Sequence, residues 1–64
     1  MQVYLFKKRV KKVGFEEYYD LYAVWERDGK LYHVEIKPSF NNGFRALIAR
    51  AVEVPDGEPF EKYM

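Results

Sequence analysis

The chain has no cysteine and no threonine, and only one histidine (His33), one serine (Ser39) and one glutamine (Gln2). Without thiols it forms neither a disulfide nor a thiolate zinc centre, and a lone imidazole does not complete a metal shell. His33 and Glu35 alternate onto one face of a strand, but two ligands do not make a site. Nucleophilic catalysis lacks two of its usual groups, and Ser39 follows Pro38 with no histidine nearby in sequence to serve as its base. The glycines Gly14, Gly29, Gly43 and Gly57 are too scattered to cradle a phosphate. No apolar run approaches the roughly 18 residues needed to span a bilayer, and the first residues lack the apolar core of a secretory signal. These absences predict a cytoplasmic protein that is not an enzyme and takes no cofactor and no metal.

What is present is aromatic and charged. Six Tyr, five Phe and one Trp occur among 64 residues, of which 33% are charged. A chain this short is one domain, 1–64, and hides only about 60% of the surface its unfolded form exposes. With disulfides and metal excluded, aromatic packing or self-association must compensate. The net charge of +1 conceals an uneven distribution: residues 1–13 hold five bases and no acid, and the rest of the chain holds six bases against ten acids. Such polarity marks either an anionic partner or two ends that pair on folding.

Two alternating runs mirror each other about Asp28-Gly29, the dipeptide favoured where a two-residue hairpin loop needs positive φ twice. The loop length sets the register. Trp25 opposes Tyr32, Ala23 opposes Val34 and Leu21 opposes Ile36 on an apolar face; Glu26 with Leu31, Val24 with His33 and Tyr22 with Glu35 make a mixed face. The pattern predicts an antiparallel sheet covered on its apolar side only. A first strand over about 2–10 is expected to turn Tyr4, Phe6 and Val10 to the core, and a second runs over about 17–27. Pro38 has no N–H for the ladder, so the third is expected over 30–37. Asn41 or Asn42 then caps a helix over about 42–53, in which Phe44, Leu47, Ile48, Ala51 and Val52 fall on one side. Pro55-Asp56-Gly57 turns the chain into a tail, 55–64, that docks through Phe60 or Tyr63.

The expected fold is therefore α+β: a three-stranded antiparallel β-meander (β-β-β-α) with one C-terminal helix packed across the face of Leu21, Ala23, Trp25, Tyr32, Val34 and Ile36. In size and in joining three strands to a helix it is similar to the small archaeal chromatin proteins, but it carries none of their motifs and no comparable lysine excess, and the similarity implies no function.

On the face expected to be open, Tyr18, Tyr22, Val24, Leu31 and His33 would form one contiguous aromatic patch rimmed by charge, of the kind that marks a protein contact. The leading expectation is a small non-catalytic interaction module that pairs with itself, as a homodimer, or with another protein. The alternative is a nucleic-acid binder that uses Lys7, Lys8, Arg9, Lys11 and Lys12 with the tyrosines as stacking platforms. Against it, Glu16, Asp20, Glu26 and Glu35 are expected on the same face as Lys7, Arg9 and Lys11, where they would pair with them and repel phosphates.

Overall fold

The computed structural model describes residues 2–14, 16–39 and 41–64, and of residues 11–13, 16 and 17 only the backbone. The order of elements is β1 (Val3–Val13), β2 (Glu16–Arg27), β3 (Lys30–Ile36), α1 (Asn42–Arg50), β4 (Val52–Glu53) and a 3-10 turn η1 (Phe60–Tyr63). The architecture is α+β, with β1 to β3 antiparallel as the alternation requires and one helix C-terminal to them. Asp28 and Gly29 both take positive φ, 52° and 77°, and the β2–β3 register pairs Trp25 with Tyr32, Ala23 with Val34 and Leu21 with Ile36. β3 ends one residue early, at Ile36, because Pro38 offers no N–H to prolong the ladder.

β1 outruns its expected end. A bulge between Arg9 and Lys11 absorbs Val10, so that Arg9 faces Tyr19 while Lys11 faces Tyr18, and pairing continues to Val13 with Glu16. Val10, expected in the core, is exposed at this bulge. The helix is shorter than expected. Asn41 caps it, its side-chain oxygen accepting from the Phe44 N–H at 2.8 Å, but Ala51 is already extended, with φ −74° and ψ 144°. The physical reason is an unpaired edge nearby: Val52 and Glu53 add a parallel strand to β1, opposite Phe6 and Lys7, and the Val54 N–H donates to the Lys7 carbonyl at 2.8 Å. The sheet order is β3-β2-β1-β4.

The pairing corrects the expected faces. Val3 lies opposite Trp25, Leu5 opposite Ala23 and Phe6 opposite Tyr22, so Tyr4 and Phe6 share a face with Tyr22 and Val24, not with Leu21 and Trp25. That face carries the main core, in which Phe6, Val24 and Val54 are buried and Tyr4, Tyr22, Leu31, Phe60 and Tyr63 pack around them. The C-terminal tail is its cover. The helix serves the opposite face at one end only: Lys7 Nζ donates to the Ile48 carbonyl at 3.1 Å, and Leu21, beside Lys7 in the ladder, is fully buried.

Candidate interaction surface

The residues expected to form an open patch lie on the covered face. Val24 is 1% exposed, and Tyr22 and Leu31 pack against the cluster it belongs to. The Phe60 ring is the lid, with its centroid 5.3 Å from Phe6, 5.5 Å from Tyr22 and 5.8 Å from His33. Burial and then the charges of Asp20 and Glu35 hold the Tyr22 hydroxyl above its ordinary pKa. Tyr18 is exposed, but it stands beyond the bulge beside Lys11 and apart from the others. The five residues therefore do not make one accessible patch. Pro55-Asp56-Gly57 reverses the chain and returns two large rings to the sheet, and a tail of ten residues suffices to close the face.

The basic run is divided between the two faces. Lys7 lies on the helix side, where its ammonium meets the Ile48 carbonyl and the Tyr19 ring. Arg9 shares that side and pairs with Glu53 at 3.3 Å. Lys8 points the other way, 4.8 Å from the centre of Phe60. The Lys11 and Lys12 side chains fall outside the described residues; their backbones pair with Tyr18 and Glu17. Each described base thus has a local role, as a helix C-terminal cation, an ion-pair partner or a cation on a ring.

The surface that is open lies on the helix side, toward the Asp28-Gly29 hairpin. Two rows of the pleat, Val3–Trp25–Tyr32 and Leu5–Ala23–Val34, run across three adjacent strands. Val3, Tyr32 and Val34 remain 53%, 42% and 49% exposed, and the other three are half-buried. Trp25 and Tyr32 stack with centroids 6.2 Å apart and planes within 19°. α1 stops short of these rows. The apolar alternation predicts a covered core here; the signal against it lies in β1, whose larger rings, Tyr4 and Phe6, occupy the even positions and so mark the face that the tail's rings meet.

Charge separates between the faces as well. In the paired segments from Val3 to Arg9, Tyr19 to Arg27 and Lys30 to Ile36, the open side carries Lys7, Arg9, Arg27 and Lys30 and no acid. The covered side carries Asp20, Glu26 and Glu35, with Lys8 as its one base. The helix adds Arg45 and Arg50 and no acid, whereas the tail over the covered side adds Asp56, Glu58 and Glu61 against one base, Lys62, which pairs with Glu58. Glu53, on the same side as Arg9, is neutralised by it.

Among the described residues, no group of His, Asp and Glu is placed to hold a metal ion, and no helix is long and apolar enough to cross a membrane. A shallow concavity at the edge of the covered face is lined by Glu26, Gly29, Leu31, Glu61 and Met64 and is open to solvent. No family model, curated protein or solved structure matches the chain.

Proposed function

We propose that this chain is a small non-catalytic interaction module whose working surface is the open sheet face of Val3, Leu5, Ala23, Trp25, Tyr32 and Val34. Contiguity carries the reading. Strands about 4.8 Å apart bring these side chains into contact, and a continuous apolar patch bordered by charge is the usual mark of a binding surface, whereas scattered exposed hydrophobics are not. The module acts by occupying a surface, with a second copy or another protein as the partner that apolar contact alone would serve. A nucleic acid is the second reading, and the segregation of bases from acids favours it: Asp20, Glu26 and Glu35, three of the acids expected to repel phosphates, share the covered side of the sheet. A cytoplasmic setting belongs to the same proposal and rests on composition, since a cysteine-free chain gains nothing from an oxidising compartment.

Val34→Glu tests the surface. The variant should lose every association that the wild-type chain makes, in light-scattering mass across concentration and in mixtures with oligonucleotide, with an unchanged far-UV circular dichroism spectrum. A Val34→Glu protein that associates as the wild type does refutes the reading.

A further inference from the structure

We infer that the occupant of the open face is a single-stranded nucleic acid, its bases stacked on Trp25 and Tyr32 and its phosphates drawn to Arg27 and Lys30. The inference rests on the reading of that face as the working surface and adds the chemistry of the partner.

Three observations converge on it. The first is area. Three strands about 4.8 Å apart and two pleat rows about 7 Å apart make a patch of a few hundred Å², short of the roughly 800 Å² that each partner of a stable protein complex contributes. The second is symmetry. A dimer through this face would set the same surface against itself and bring Arg27 and Lys30 toward their own copies, with Asp28 already drawn to Arg27 and Glu53 already taken up by Arg9. An anionic partner meets the opposite situation. The third is the aromatic pair: Trp25 and Tyr32, stacked with planes within 19° and both partly exposed, present π surface at the edge of the stack, and every base has a face that can extend it.

Placement accounts for the phosphates. Arg27 and Lys30 pair with each other one row beyond the rings on the same face, about 7 Å along the strands, within reach of a backbone whose bases lie on Trp25 and Tyr32. Arg27 is held only weakly, 3.9 Å from Asp28, with both side chains largely in solvent. The strip is bounded at its other end by α1, which shares this face, so the nucleic acid lies across the strands as a single chain. Stacking on side chains also requires bases released from a duplex.

Trp25 is the only tryptophan, so its fluorescence reports on the site directly. Titration of the full chain with oligodeoxythymidine should quench its emission saturably, with an affinity whose logarithm falls against log salt with a slope of about −0.7 per phosphate engaged. A matched duplex should bind far more weakly. Tyr32→Ala, which keeps the reporter, should weaken binding roughly 5- to 150-fold, the range for losing one stacked base. Lys30→Glu should weaken it and flatten the salt slope, while Lys62→Glu, an equal change of charge on the tail, should leave affinity within about two-fold. Absence of quenching, duplex binding as tight as single-strand binding, or equal effects of Lys30→Glu and Lys62→Glu each overturn the inference. If oligonucleotide fails to bind but Val34→Glu still abolishes self-association, the nucleic-acid assignment falls and the open face stands as a protein contact. If oligonucleotide binds and neither Tyr32→Ala nor Val34→Glu disturbs it, the open face falls as well.

Discussion

The two faces of one sheet carry similar side chains and end in opposite states. Both offer aromatic and aliphatic groups at alternate positions of the same three strands, yet Phe6 and Val24 are buried on one while Tyr32 and Val34 stand in solvent on the other. The difference lies in what the rest of the chain can cover. A nine-residue helix fits over the Lys7–Leu21–Ile36 row and leaves two rows bare, whereas the tail reaches the middle of the opposite face and sets Phe60 on it. Apolar alternation identifies a surface that prefers to leave water. Whether its own chain or a partner removes it from water depends on the length and anchoring of the elements that follow.

Phe6→Ala should break the contrast most severely. It removes the ring at the centre of the covered cluster and should cost about 3 to 5 kcal/mol, which for a chain of this size means loss of the cooperative urea transition. If the variant unfolds with a wild-type midpoint, the covered face is not the core.

A matched pair sharpens the comparison at smaller effect. Val24→Ala should lower stability by roughly 2 kcal/mol, from lost burial plus an imperfectly refilled cavity. Val34→Ala, the same chemical change on the open face, should stay within about 0.5 kcal/mol. Equal shifts in the two urea midpoints would erase the distinction between the faces.

The smallest effect is on pH dependence and concerns how the cover is held. Glu58 accepts from the Tyr63 hydroxyl and from Lys62 Nζ, and these hydrogen bonds hold its carboxyl below the ordinary range. A depressed folded pKa means stabilisation present above the unfolded value of about 4.5 and lost as pH falls through the lower folded value. Tyr63 is raised, first by donating to Glu58, so its contribution is complete below pH 10 and fades as pH climbs from there through the folded value. Protection factors of the amides in residues 58–64, taken relative to intrinsic exchange at each pH, should therefore fall at both extremes before those of the β2–β3 hairpin change. Glu58→Gln should remove the acid-side response while a profile that keeps it would assign the effect elsewhere.

Much of the fold was legible in the sequence wherever short-range chemistry decides. Asp28-Gly29 dictated the β2–β3 register residue for residue, the Asn41-Asn42 pair marked the helix start, with Asn41 the cap, and Pro38 stopped the third strand. What escaped depends on contacts between distant segments. The parity of β1 against β2 cannot be read from the Gly14 connection, because a bulge at Val10 intervenes between it and the Val3–Arg9 rows, and one step of parity exchanges the faces. Ala51 to Val54 has good helical spacing, and only the vacant edge of β1 makes extension preferable there. The candidate surface is displaced for the same reason: Ala23, Trp25, Tyr32 and Val34 read as apolar from the alternation and are expected beneath the helix, which in the structure leaves them open, while the patch expected to be open is covered by the tail.

The β4 attachment has a kinetic consequence. The β2–β3 hairpin joins neighbours in sequence and can form early, but Val54 meets the Lys7 carbonyl only after the helix has crossed the sheet, so closure of the Phe60 side is the late, non-local event. Substitutions in the tail should then accelerate the unfolding limb of a chevron and leave the refolding limb nearly untouched. The protein's lifetime in its native form is thus governed by its last few residues, while its route to that form is governed by the hairpin in the middle.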